Sequence, residues 1–497
     1  LLTAAAERQR VGRFDEAIQI LQRAVALAPS EPAAWVALAD GFCLARRPEA
    51  ALGVCDRALE AVRPQSDVLC AKARALQDLS RVSEAQALYE QAVALDADNA
   101  SARTGLALAA LERGEWAAAE SLAAPLSGPA IEWIRARAAL GRRDLERARA
   151  LTAGMLARTR LSPDQTAETA LLLGEALDGL GRAAEAFQAF TRGKQALRAL
   201  YAERAAGRES EVARLERLAA WFRSADPAPW QAAPAATTAP RASGHAFLVG
   251  FPRSGTTLLE QALAGHSDLV SVEEAPTLAA ASATLMTDGD ALDRLATLSP
   301  TEAETWRARY WAEVDRAGVD PRGKVLLDKA PAATALLPLV AKLFPDARVF
   351  FPVRDPRDVV LSCFRNSFQM NALTYAFTDL GETARCYAAT MTLAELYRSI
   401  LPLSVTDVRF ESLVGDFPAV LACVAGALGL DVQPRMLDVA ATAGDRSIRT
   451  PSAQQVRAGL NRDGVGRWRA YSAELAAVTP LLEMWIDRFG YDGGAAG

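Results

Sequence analysis

The chain has 497 residues, 51% of them hydrophobic and 23% charged, with a formal net charge of −5. That length exceeds what a single hydrophobic core usually serves, so two or three domains are expected, with a composition ordinary for a folded soluble protein. The acidic balance argues against a global basic field for nucleic acid and leaves room for a local pocket that takes a small polyanion.

The six cysteines are Cys43, Cys55, Cys70, Cys363, Cys386 and Cys423, and the two histidines are His245 and His266. No pair has CxxC spacing, so a Cys/His zinc cluster is excluded and no metal is expected. Scattered thiols fit a reducing compartment, and a cytoplasmic location is the expectation. No stretch approaches the ~20 apolar residues of a membrane span. The opening Leu1-Leu2-Thr3 does not read as a secretory signal, and without an initial Met a preceding segment stays open.

The first half repeats itself. Gly12-Arg13-Phe14-Asp15-Glu16-Ala17 returns as Arg47-Pro48-Glu49-Ala50, as Ser83-Glu84-Ala85, as Gly114-Glu115-Trp116-Ala117-Ala118-Ala119 and as Gly181-Arg182-Ala183-Ala184-Glu185-Ala186. The alanines at 17, 50, 85 and 119 lie 33, 35 and 34 residues apart, after which Ala148 comes early and Ala186 late. Apolar residues follow at helical spacing, as in Ala17, Ile20, Leu21 and Ala24, and Pro29 and Pro32 stop one helix and start the next. A helix pair of this kind cannot bury its own apolar face, so pairs stack. The pattern resembles a tetratricopeptide array of five or six units over residues 1–200. Such an array implies a groove for an acceptor protein, peptide or glycan, or for another partner. A rigid spacer or dimerisation arm is the alternative, and the oligomeric state is not legible. Residues 201–244 read as a helical extension and linker, with four prolines between Ser224 and Gly244.

The third region, residues 245–495, opens with the apolar run Ala246-Phe247-Leu248-Val249, a candidate buried parallel strand. It runs into Gly250-Phe251-Pro252-Arg253-Ser254-Gly255-Thr256-Thr257, and a helical face of Leu258, Leu259, Ala262 and Leu263 follows. Strand, glycine loop and helix in that order aim backbone N–H groups and a positive helix end at an anion. The two glycines have the spacing of the nucleotide P-loop, but Thr256 stands where its lysine would be, and the cation, Arg253, has moved inside the loop. That argues against a kinase acting on a nucleoside triphosphate.

A second apolar run, Arg348–Val353, delivers Arg354-Asp355-Pro356-Arg357-Asp358, with Ser362 on the helix after it. Arg354 and Ser362 can converge on one anion, because arginine offers a planar, permanently charged donor fork. An ion pair of Arg354 with Asp355 or Asp358 is the alternative. Two anion sites at strand ends of one α/β sheet suit a nucleotide phosphorylated at both 5′ and 3′ positions.

Gly250–Thr257 resembles the 5′-phosphosulfate loop of sulfotransferases, and the later residues look most like the tyrosylprotein sulfotransferase branch. The resemblance covers roughly Ala246 to Tyr491. It implies a P-loop-like α/β domain with a parallel sheet behind the helical solenoid, using 3′-phosphoadenosine 5′-phosphosulfate as co-substrate. It also implies transfer to an acceptor hydroxyl, protein tyrosine among the candidates. Arg253, Ser254, Gly255, Thr256 and Thr257 would hold the 5′ end of the donor, with Arg354 and Ser362 on the 3′-phosphate. Counted without gaps from Arg253, Ser271-Val272-Glu273-Glu274 places the catalytic base at Glu274, with Glu273 left open; burial would tune such a carboxylate. Lys329, in Asp328-Lys329-Ala330-Pro331, would stabilise the leaving phosphate or the sulfuryl oxygens. Ser452 would donate to the reacting group, Arg467 would contact the donor's phosphate, and Phe410 would lie beside the nucleotide. The fusion to a helical array is typical of bacterial family members. A catalytically silent adaptor that keeps a nucleotide-binding domain is the competing reading.

Overall fold

A computed structural model describes residues 1–10, 13–62, 65–79, 81–158, 161–232, 234, 241–444, 459–460 and 462–491. The chain divides into two compact units, Leu1–Arg182 and Ala183–Gly497.

The first unit is helical throughout: α1 Leu2–Arg10, α2 Phe14–Leu27, α3 Pro32–Leu44, α4 Pro48–Ala61, α5 Ser66–Asp78, α6 Val82–Leu95, α7 Ala100–Arg113, α8 Trp116–Ala123, α9 Pro129–Gly141, α10 Leu145–Arg158 and α11 Pro163–Gly179. Each helix packs on the next, and α3, α5, α7, α9 and α11 also pack in series, which stacks the pairs. The repeated alanine is the fourth residue of each second helix, and it is buried: Ala17, Ala51, Ala85, Ala119 and Ala148. Ala50 is exposed. The second repeat therefore slips by one against its sequence reading, and the period through Ala119 is regular. Ala148 comes early because α8 has only 8 residues where α2, α4 and α6 have 14. A larger side chain at these positions would force neighbouring helices apart.

The second unit opens with three helices, α12 Ala183–Ala205, α13 Glu211–Ser224 and α14 Ala228–Gln231. The sequence reading continues the array to residue 200, whereas α12 packs on helices of the second unit. The start of the proline-rich stretch packs too. Trp230 is buried, Gln231 Nε2 donates to the Ile400 carbonyl at 2.7 Å, and Arg307 Nη2 donates to the Pro234 carbonyl at 2.9 Å.

Five strands follow, interleaved with helices: β1 Gly244–Leu248, α15 Thr256–Leu263, β2 Leu269–Glu273, α16 Ala279–Leu285, α17 Gly289–Ala296, α18 Pro300–Arg316, β3 Val325–Lys329, α19 Leu337–Leu343, β4 Arg348–Val353, α20 Pro356–Arg365, α21 Ala372–Ala376, α22 Leu380–Ile400 and β5 Ser404–Arg409, then α23 Phe410–Gly415. The sheet order is β2-β3-β1-β4-β5, all parallel. β3 is buried throughout and β4 at every residue but the first, which explains their unbroken apolar runs. Glu273 pairs with Lys329, and Lys329 with Leu248, so three strand ends reach the same edge of the sheet. In an open parallel sheet that carboxyl edge is where ligands bind. Among the described residues no helix is long and apolar enough to cross a membrane.

Candidate active site

The phosphate loop leaves β1 at Leu248 and enters α15 at Thr256. Two glycines let it turn. Gly250 has φ +146° and lies against the Pro352 carbonyl, while Gly255 has φ +101° and Phe410 directly over it. A Cβ on Gly255 would meet the Phe410 ring at 2.5 Å. Ser254, Thr256 and Thr257 are buried at the helix start, where orphan N–H groups and the helix dipole favour an anion.

Arg253 is itself in the left-handed region, with φ 71°. A non-glycine residue there is strained by about 1–2 kcal/mol. Its side chain turns into the domain, is buried, and donates from Nε to Ser362 Oγ at 2.9 Å. Burial and then the neighbouring Arg354 guanidinium push Arg253 down to about 10. Arg354 is also buried. It donates from Nη1 to the Arg253 carbonyl at 2.8 Å and from Nη2 to the Gly464 carbonyl at 2.6 Å, and lies 4.7 Å over the Phe410 ring. Its Nε is buried without a hydrogen-bond partner among the described residues. Burial lowers its pKa against the pull of Asp358 and Glu411. Two buried guanidiniums thus lie side by side, and Arg354 keeps one buried N–H without a hydrogen-bond partner among the described residues.

Asp355 and Asp358 have other work. Asp355 caps α20 through the Arg357 amide and holds the Arg357 guanidinium at 3.0 and 2.8 Å. Asp358 accepts from the amides of Gly466 at 2.7 Å and Trp468 at 2.8 Å. Arg467 lies between those two residues, half-buried, in a segment pinned at Gly464 by Arg354 and at either side of itself by Asp358. Ser452 lies outside the described residues.

Beside β1, the ends of β2 and β3 carry a charge cluster with Glu260 of α15. Lys329 is fully buried and donates from Nζ to Glu274 Oε1 at 2.8 Å and Glu273 Oε1 at 3.2 Å, with Glu260 Oε2 at 3.7 Å. Burial acts to lower the pKa of this ammonium, but the three carboxylates outweigh it and the pKa is raised. The structure thus brings both members of the acidic pair onto one lysine. Their exposures differ: the Glu273 side chain is 12% exposed and that of Glu274 49%. The burial that the sequence argument asked of the base is not what Glu274 has. Its backbone is at φ 50°, so Glu274 and Arg253 are the two non-glycine residues of the second unit with positive φ among the described residues. Such strain collects at functional sites.

Sequence reasoning missed Glu260, a fully buried carboxylate on α15 that accepts from Ser271 Oγ at 2.8 Å. Its signal was present, as a charge inside the apolar run Leu258–Leu263. It also missed Asp358 as the clamp on residues 464–468, which no local pattern announces. Among the described residues no group of three or more His, Cys, Asp or Glu is placed to hold a metal ion.

A parallel sheet whose first strand feeds a glycine loop and a helix start, with buried guanidiniums behind the loop, defines the class as an α/β domain whose elements follow one another in P-loop-like order. Residues 246–434 match the profile of the family described as "Sulfotransferase family", and residues 10–75 and 70–124 match two tetratricopeptide repeat profiles. The chain therefore carries a sulfotransferase domain behind tetratricopeptide repeats. An uncharacterized protein of Aquifex aeolicus (strain VF5) is 25% identical over 260 residues, covering 48% of this chain and 32% of that protein. The chain thus spans about a third of the length of this curated relative. Among solved structures, the sulfotransferase domain of the Synechococcus PCC 7002 olefin synthase is 22% identical, with a TM-score of 0.35, over 53% of this chain and all of that one. The sulfotransferase domain of the curacin biosynthetic pathway is 18% identical, with a TM-score of 0.29, over 48% of this chain and 99% of that one.

Proposed function

We propose that the second unit transfers a sulfuryl group from 3′-phosphoadenosine 5′-phosphosulfate to an acceptor hydroxyl. The observation that carries this reading is the pair of buried guanidiniums, Arg253 and Arg354, meeting at the phosphate loop with Ser362 bonded to one of them. A nucleotide with anionic groups at both its 5′ and 3′ positions would answer that charge. The orphaned Arg354 Nε fits such a ligand. The loop residues Arg253 to Thr257 would hold the 5′ end, and Arg354 and Ser362 the 3′-phosphate. Phe410, over Arg354 and Gly255, offers an apolar wall beside them.

In the transfer, an acceptor oxygen bonds to sulfur while the bond from sulfur to the phosphate oxygen breaks, leaving 3′-phosphoadenosine 5′-phosphate. The acceptor proton goes to Glu274, whose half-exposed carboxylate can meet a substrate arriving from solvent. The hydroxyl becomes acidic only as the new bond forms, so a carboxylate within reach can take the proton at that moment. Lys329 holds Glu274 in place, and its positive charge would stabilise charge building on the leaving oxygen. The repeat array would present the acceptor, a protein, peptide or glycan. Titration calorimetry with 3′-phosphoadenosine 5′-phosphate, with ATP as competitor, tests the donor. Turnover of ³⁵S-labelled donor on an acceptor panel separates a working transferase from a silent adaptor.

A further inference from the structure

Lys194 sits on α12, 2% exposed. No carboxylate pairs with it among the described residues, and burial pushes its ammonium down to about 7. Its donors go to α20 instead. Nζ donates to the Asn366 carbonyl at 2.7 Å and the Cys363 carbonyl at 3.4 Å, and lies 5.8 Å from the Phe368 ring centre. These carbonyls end α20, where a helix has acceptors to spare and favours a cation.

The contact leads to the phosphate loop in three steps. Asn366 Nδ2 donates to the Ser362 carbonyl at 2.7 Å and touches Ser362 Oγ at 3.5 Å. Ser362 Oγ accepts from Arg253 Nε at 2.9 Å, and the Arg253 carbonyl accepts from Arg354. On the same helix, the Phe187 ring packs on Phe364 of α20 at 5.4 Å and on Tyr471 at 6.5 Å, at the far end of the short helix that begins with Arg467. α12 thus touches both sides of the donor site, though Lys194 itself is remote from any reacting atom.

We propose that Lys194 is a positioning residue for the donor's 3′-phosphate, holding Ser362 in place through Asn366 and the carbonyl end of α20. The proposal rests on the donor reading above. It makes α12, the first helix after the repeats, part of the nucleotide site and not merely a connector.

The test is titration calorimetry on the full chain with two ligands that differ only in the 3′-phosphate: 3′-phosphoadenosine 5′-phosphate and adenosine 5′-monophosphate. Lys194→Met should weaken the first about tenfold, the scale of a lost charge-assisted hydrogen bond. It should weaken the second by less, because Ser362 would contact the 3′-phosphate itself, whereas of the 5′ loop residues only Arg253 is bonded to Ser362. In a Ser362→Ala background, Lys194→Met should add little further loss. Equal losses for both ligands, or an undiminished loss in the Ser362→Ala background, would overturn the proposal. If the wild type shows no preference for the 3′-phosphorylated ligand, the donor reading falls and this proposal with it. A wild-type preference that Lys194→Met keeps in full overturns the proposal alone. Should Lys194→Met not fold, Asn366→Ala breaks the same chain from a half-buried position and is read by the same ligand pair.

Discussion

Arg354 donates from Nη1 to the main-chain carbonyl of Arg253 at 2.8 Å, tying the end of β4 to the middle of the phosphate loop. The contact accounts for the left-handed backbone at Arg253, since the loop must turn its carbonyl toward Arg354 while its side chain reaches Ser362. The other guanidinium fork, on the Gly464 carbonyl, carries the tie to the segment holding Arg467.

Replacing Arg354 with Ala should therefore cost more than one phosphate contact. Donor binding should fall by about 2–4 kcal/mol, as for a buried charged partner removed. Lys in its place cannot span both carbonyls and should rescue only part. Calorimetry with 3′-phosphoadenosine 5′-phosphate in the absence of Mg²⁺ reads the loss, and comparable wild-type affinity for ATP would contradict the donor assignment.

Gly255→Ala should damage the loop in two ways. The position has φ +101°, and a Cβ would press on the Phe410 ring at 2.5 Å. Backbone strain of this kind costs about 1–3 kcal/mol. Adding Phe410→Ala should relieve the clash but not the strain, so the double variant should recover only part of the melting temperature lost relative to Phe410→Ala alone. Full recovery would mean that the backbone at Gly255 is not strained.

Asp328, behind the sheet edge, makes a pH prediction. It accepts from Thr277 Oγ1 at 2.8 Å and Tyr310 OH at 3.0 Å, and burial raises its pKa from 3.8 to about 6 against those two bonds. A carboxyl with a higher pKa in the folded state holds its proton better when folded. Stability from this group is then greatest below about pH 4 and is lost as pH rises to about 6, by about 3 kcal/mol. The difference in stability between wild type and Asp328→Asn should change over that window and be flat above it. A difference independent of pH in denaturant melts from pH 4 to 8 would show that Asp328 is not buried as an acid.

Truncation separates the two units. Removing residues 1–182 should raise KM for a macromolecular acceptor and leave donor affinity unchanged. Removing residues 1–200 takes most of α12 with Lys194, and donor affinity should fall as well. Identical donor affinities for the two truncations would show that α12 contributes nothing to the nucleotide site.

Much of this was legible in the sequence, for identifiable reasons. β4 has the bounds of the apolar run Arg348–Val353, because a strand buried on both faces writes its limits in hydrophobicity. The alanine period shows because only a small side chain fits between stacked pairs, yet the weak Pro48-Glu49-Ala50-Ala51 repeat cannot say which alanine faces inward. α12 opens in the same frame as the earlier second helices, with Ala186 buried, so its sequence reads as one more repeat. What assigns it to the second unit is Phe187, Phe190 and Lys194 meeting α20, at separations of more than 160 residues that no local pattern encodes. Glu273 and Glu274 stand next to each other in the chain. Their difference in exposure follows from a single left-handed residue at the end of β2.

Glu274 carries the sharpest test. A general base acts only as the acceptor oxygen bonds to sulfur, so its loss appears in kcat and not in donor binding. Glu274→Gln keeps the side chain's length and can still accept from Lys329, but cannot take the proton. It should lower kcat by about 10²–10⁴-fold with donor Kd nearly unchanged. Glu273→Gln should be milder, because that carboxylate is mostly buried beneath its neighbour's reach to solvent. Lys329→Met should differ from both. It strips the partner from three carboxylates, so stability and kcat should fall together. Single-turnover measurements with labelled donor separate the three variants. Near wild-type turnover by Glu274→Gln, with a large drop for Glu273→Gln, would move the base one residue toward β2.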